Sequence, residues 1–262
     1  MNFRFLVLLA LALAIGTPVS ADESSKPTSE AKASDPLRAL LVTGGCCHDY
    51  PRQAEIITKG MNERIGRIEW TVVNYGTERT GELAVYANPN WAAEYDIVVH
   101  NECYGGVTDP AVIQRIVEGH AKAGVPAIAV HCSMHSYRAA ENADLWRALL
   151  GVTSTYHEKA KRSLAVVPVM PEHPILKGFP ETWNTPNGEL YIIERTWPAT
   201  EVLATAYSTE TEKDQPVAWV NEHQGVRVFA TTLGHHNVTM ESPEWLNMVA
   251  LGMQWAMEKP KQ

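Results

Sequence analysis

Three short, apolar-rich runs, at residues 39–43 (Ala-Leu-Leu-Val-Thr), 95–100 (Tyr-Asp-Ile-Val-Val-His) and 125–130 (Val-Pro-Ala-Ile-Ala-Val), constrain this chain more than any other feature. Runs this short and this apolar suit strands buried on both faces. Residues 68–73 add a fourth strand, and residues 52–65 and 110–123 carry helical patterns between them. Strand alternating with helix predicts βαβ units, right-handed crossovers and a parallel sheet, so the expected class is α/β and doubly wound. Further strands are expected at residues 164–169, 202–207, 216–220 and 226–232, several extending the sheet antiparallel at one edge, before a closing helix at 243–257.

The first 21 residues read as a secretory signal: Arg4 supplies the positive charge, residues 5–15 the apolar core and Val19-Ser20-Ala21 the small-residue cleavage site. Residues 22–36 are polar and rich in Ser, Pro and Lys, the composition of a disordered linker, which leaves residues 37–259 as the folded domain. The expected location is the periplasm or outside the cell. The apolar run falls short of the roughly 20 residues a spanning helix needs, so no stable membrane insertion is expected. With 22 Lys and Arg against 30 Asp and Glu, the net charge of −8 argues against a nucleic-acid partner. Cys46, Cys47, Cys103 and Cys132 are too few to staple a domain of this length and match no zinc-ribbon or C-x-x-C spacing, so their pairing is left open.

Open α/β sheets bind ligands beyond the carboxyl ends of their strands. At those positions stand Cys47-His48-Asp49, His100-Asn101-Glu102-Cys103, His131-Cys132-Ser133 with His135, and Gly234-His235-His236-Asn237. Imidazoles from several strand ends are raw material for an acid–base site or a metal site. His131 and His135 have the i, i+4 spacing of one helical face. The turn after residue 130 resembles a nucleophile elbow, but its small flanking residues, Ala129 and Ser133, bracket His131 rather than Cys132. That disfavours Cys132 as a nucleophile and aims His131 at the pocket. Glu189, in Gly188-Glu-Leu-Tyr191, suits a general acid or base, a metal ligand or a sugar-hydroxyl acceptor. His120 is read as exposed on a helix, His223 as a turn residue and His173 as holding a loop, while His157 is undecided. Trp183, Trp197 and Trp219 suit either sugar stacking or the core.

Together these segments resemble the ThuA-like (trehalose-utilisation) family, a branch of the class I glutamine-amidotransferase-like superfamily. The likeness spans residues 37–259. It rests on Thr43-Gly44-Gly45 with His48, the strand and turn 127–133, His173-Pro174-Ile175, Gly188-Glu189-Leu190-Tyr191, Pro216-Val217-Ala218-Trp219, residues 225–229, Thr232-Leu233-Gly234-His235 and Gln254-Trp255-Ala256. It implies a flavodoxin-like, mostly parallel sheet with helices on both faces, absence of the amidotransferase cysteine, and a role in catabolism of disaccharides or 3-keto-glycosides. Two departures stand near the expected pocket: Gly188 where the family often has an acidic residue, and Asn101-Glu102-Cys103 after the third strand.

The leading expectation is an exported sugar-active enzyme with His48, His131, Glu189 and His235 as catalytic residues and Glu102, His135, Tyr191 and His236 contacting a small carbohydrate. If a divalent metal such as zinc is present, His48, His131, His235 and Glu189 are its expected ligands, although no short motif such as H-E-x-x-H supports it. The alternatives are a non-catalytic carbohydrate-binding protein and a thiol-dependent amidase using Cys132 or Cys103.

Overall fold

A computed structural model describes residues 35–81 and 83–258. The expected signal peptide and nearly all of the linker lie outside the described residues. In chain order the elements are β1 (Leu37–Gly45), α1 (Tyr50–Ile65), β2 (Ile68–Asn74), β3 (Ile97–Cys103), α2 (Pro110–Ala123), β4 (Ala127–Val130), α3 (Ala143–Leu150), β5 (Val152–Thr153), β6 (Tyr156–Lys161), β7 (Ala165–Pro168), β8 (Trp183–Asn184), β9 (Glu189–Ile192), β10 (Arg195–Thr196), β11 (Glu201–Ser208), β12 (Lys213–His223), β13 (Val226–Thr231), α4 (Asn237–Met240) and α5 (Pro243–Met257).

The central sheet has nine strands in the order β2-β1-β3-β4-β13-β12-β11-β7-β8. From β2 to β13 every pairing is parallel, and from β13 to β8 every pairing is antiparallel. The pleat explains how the parallel half is buried. Ala39, Leu41, Ile97, Val99, Ile128 and Val130 share one apolar cluster with Ile57 and Met61 of α1 and Trp245, Val249 and Met253 of α5. Their neighbours Leu40, Val42, Val98, Ala127 and Ala129 join Ile113 and Ile116 of α2 and Trp146 and Leu149 of α3 in another. A strand with helices on both faces has no polar side, which is why these runs lack alternation. No helix among the described residues is long and apolar enough to cross a membrane.

Helix ends follow local chemistry. Asp49 caps α1 by accepting from the Arg52 amide, and Pro51 occupies its first turn, where a missing N–H costs nothing. Asp109 and Pro110 do the same for α2, which stops at Gly124 in the left-handed conformation.

Three expectations need correction. The third strand runs on through Cys103, so Asn101-Glu102-Cys103 is strand rather than loop. Pleat parity then sends Glu102 to the same side as His100, into the interior. His120 is fully buried rather than exposed, with Nδ1 against the Val125 carbonyl and Nε2 3.0 Å from His100 Nε2. The pair His131 and His135 lies on a short 3-10 turn, not an α-helix. Glu189 stands at the start of β9, which pairs only with β6 in a two-stranded ribbon apart from the main sheet.

Candidate active site

The β1–α1 connection delivers His48 through Gly44 and Gly45, at φ 110° and 90°. A Cβ on Gly45 would overlap the Cys103 carbonyl, so this close approach of two strand ends requires glycine. His131, at φ 44°, leaves β4 and turns back over the sheet end. His235 follows Gly234 after β13, and Glu189 enters from the ribbon.

The four side chains meet. Ring centroids of His48 lie 4.8 Å from His131 and 4.7 Å from His235. Ligand atoms of these three histidines all fall within 4.8 Å of one another. Glu189 Oε2 is 3.1 Å from His235 Nδ1 and 3.4 Å from His131 Nε2, and its Oε1 is 3.5 Å from His157 Nδ1 and 3.9 Å from Lys161 Nζ. Burial alone would raise the Glu189 pKa, but its contacts with His131 and His235 outweigh this and hold it well below the usual carboxylate range. His48 is pulled down to about 3, first by burial and then by the neighbouring His131 and His235.

Tautomers follow from the partners. His131 Nδ1 faces the carbonyl of Thr232, which only accepts, so Nδ1 carries the proton and a neutral ring turns its Nε2 lone pair toward His235 and Glu189. An imidazole oriented by a backbone carbonyl in this way is the usual support of a metal ligand. His48 Nε2 is buried with no hydrogen-bond partner in the described structure. Three imidazoles and a carboxylate match the donor set of a zinc-type divalent ion.

A cavity of about 480 Å³ opens over the cluster, bounded by His48, His235 and Glu189, by Tyr191, His135 and His157, and by Arg79, Arg138 and Lys161 at its polar side. His135 stacks on Tyr191 with centroids 4.1 Å apart and planes 6° from parallel, while its Nε2 meets the Ser154 hydroxyl at 3.2 Å. Burial, together with Arg138, His131 and His157, lowers its pKa to about 3.

Two residues expected to contact substrate lie elsewhere. Glu102 is fully buried behind the site, 2.9 Å from His100 Nδ1 and accepting from the Tyr137 hydroxyl at 3.1 Å. His236 stands edge-on to His235 at 4.4 Å and reaches Asn187 rather than the cavity wall. His173 caps a turn by accepting from the Ile175 amide. Trp219 is core, donating to the Leu150 carbonyl, and Trp183 is core as well.

His157, Lys161, Arg79 and Arg138 carry no sequence motif. The signal that reaches two of them is the pairing of β6 with β9, which sets His157 opposite Tyr191 and Lys161 opposite Glu189. Cys46 and Cys47 are bonded to each other at the cavity wall, beside free Cys103 and Cys132. The Cys132 thiol is pushed up by its contact with Cys103 and by burial, the opposite of an activated nucleophile.

A mixed sheet with a parallel half, packed by helices and gathering histidines at its carboxyl edge, is a flavodoxin-like α/β architecture. The family model for ThuA, described as trehalose utilisation, matches residues 38–256, and the chain belongs to that family. Among solved structures, a ThuA-like protein from Parabacteroides merdae superposes with TM-score 0.67 at 18% identity, covering 87% of this chain and 93% of that one. A ThuA-like protein from Bacteroides uniformis gives 0.64 at 16%, covering 86% and 93%. A GMP synthase component from Thermoplasma acidophilum gives 0.53 at 10%, covering 84% and 94%, a likeness of fold. Among curated proteins, none matches the sequence.

Proposed function

We propose that this chain is an exported enzyme of carbohydrate catabolism, acting on a disaccharide or 3-keto-glycoside at a divalent-metal centre built from His48, His131, His235 and Glu189. The observation that carries this reading is the convergence of three imidazoles and a carboxylate at one cavity, with His48 Nε2 buried and without a hydrogen-bond partner among the described residues. A buried imidazole nitrogen left without a partner is costly unless a ligand meets it. The family's description supports the carbohydrate, and the apolar leader at residues 5–15 supports export. A bound divalent ion supplies Lewis-acid polarisation of a sugar carbonyl or an acidified water.

The chain's own residues do the rest. Thr232 fixes the His131 ring. Glu189, held ionised beside His131 and His235, offers one oxygen to the centre and turns the other to His157 and Lys161, which orient it. Tyr191 and His135 form a flat, rigid wall beside it.

The deciding experiment combines metal analysis of the purified protein with mass-spectrometric screening of native and 3-keto disaccharides. We expect about one divalent ion per chain and a sugar product, both lost in His131→Ala while circular dichroism stays native. Saturable sugar binding by calorimetry without product, even with metals added, would replace the enzyme with a binding protein. Product formation abolished by Cys132→Ala but not by His131→Ala would instead identify the thiol chemistry.

A further inference from the structure

All four cysteines of the chain, drawn from three separate segments, come to one wall of the cavity. Cys46 and Cys47 are joined, and Cys103 and Cys132 are free and buried. Cys103 Sγ lies 3.7 Å from Cys46 Sγ, within a buried cluster that includes Cys132 and Tyr50. Cys47, by contrast, is exposed. A free sulfur therefore abuts the inner cysteine of a disulfide whose outer cysteine is exposed at the cavity wall. Attack, central and leaving positions of thiol–disulfide exchange are all occupied. Cys47 is also held at φ 91°, a backbone conformation that L residues avoid, and opening the Cys46–Cys47 ring frees it to leave.

We propose that Cys46, Cys47 and Cys103 form a thiol–disulfide exchange site beside the histidine cluster. Cys103, as the thiolate, attacks Cys46 Sγ. The Cys46–Cys103 bond forms and the Cys46–Cys47 bond breaks. The electron pair leaves on Cys47 Sγ, which takes up, through water, the proton Cys103 released. The step is an isomerisation and consumes no oxidant or reductant. Its product is a free thiol at Cys47, next to His48 in the cavity. The inference stands on the cysteine geometry and is independent of the carbohydrate reading.

Disulfide mapping tests it on the full folded chain. The protein is held in a glutathione redox buffer, quenched with acid, alkylated, digested with trypsin and analysed by mass spectrometry. Arg52 and Arg79 place Cys46 and Cys103 on different tryptic peptides, so the exchanged form links these two peptides and the Cys46–Cys47 form links none. We expect that linked pair in the wild type, two alkylated cysteines in either isomer, and no linked pair in Cys103→Ser. Cys47→Ser should carry the Cys46–Cys103 link throughout, with Cys132 alone alkylated. The proposal is overturned if the wild type shows only Cys46–Cys47 at every buffer ratio, if Cys103 pairs with Cys132 instead, or if Cys47→Ser with a native circular dichroism spectrum stays unlinked.

Discussion

Single side chains in this protein are governed by what their second atom touches. Glu189 has one oxygen on His131 and His235 and the other on His157 and Lys161. Glu189→Gln keeps the shape and removes the charge, so we expect kcat to fall by about 10²–10⁴-fold with an unfolding midpoint close to wild type; unaltered kcat would remove Glu189 from the chemistry. His120 behaves differently, because burial and the adjacent His100 push it down to about 3 while its Nδ1 is satisfied by Val125. In the unfolded chain a histidine titrates near 6.5, so between pH 6.5 and 3 the unfolded state binds the extra proton. Stability is therefore lost as pH falls below 6.5, by about 1.4 kcal/mol per pH unit for each histidine held neutral in this way. Urea titrations at pH 7 and pH 5 should show the drop, and His120→Gln should make it shallower by one histidine's share, with the share of His48 and His135 remaining. The neutrality of His120 is invisible in the sequence: its place on α2 is legible from periodicity, but which helix face meets β3 depends on packing.

At the scale of elements, legibility follows apolarity. β1, β3 and β4 each hold an unbroken aliphatic run, Ala-Leu-Leu-Val, Ile-Val-Val and Ala-Ile-Ala-Val, and a strand buried on both faces has little choice of composition. β6 reads Tyr-His-Glu-Lys-Ala-Lys and β9 is four residues long, so neither carries a pattern that periodicity detects. Half the site's partners sit on that ribbon, which is why the sequence does not point to His157 and Lys161. Glu102 is misleading for a related reason: the polar residues after His100 look like the end of a strand, yet backbone pairing with β1 continues to Gly45 opposite Cys103. That same pairing makes Gly45 costly to change. Gly45→Ala adds a Cβ against the Cys103 carbonyl at a positive φ, so we expect a loss of about 1–3 kcal/mol in chemical denaturation. An unchanged midpoint would mean the two strand ends are free to move apart.

For the molecule as a whole, the candidate ligands come from the β1–α1 connection, the turn after β4, the segment after β13 and the separate ribbon. An ion binding all four ties together segments far apart in sequence and is absent from the unfolded chain. Stripping it with a chelator should lower the melting temperature, and zinc should restore it. At a free ion concentration a hundred times Kd the stabilisation is about 2.7 kcal/mol. A melting temperature that ignores both treatments would sink the metal assignment.

The β6–β9 ribbon touches the main sheet without belonging to it, yet it carries the carboxylate and a third of the cavity's lining residues. Imidazoles and carboxylate are thus inherited through different parts of the chain. β9 is anchored, with Leu190 and Tyr191 buried in the two apolar clusters of the sheet, whereas β6 exposes nearly all of its side chains to the rim. Substitutions along that exposed strand therefore change what can enter the cavity while the carboxylate and the core stay where they are.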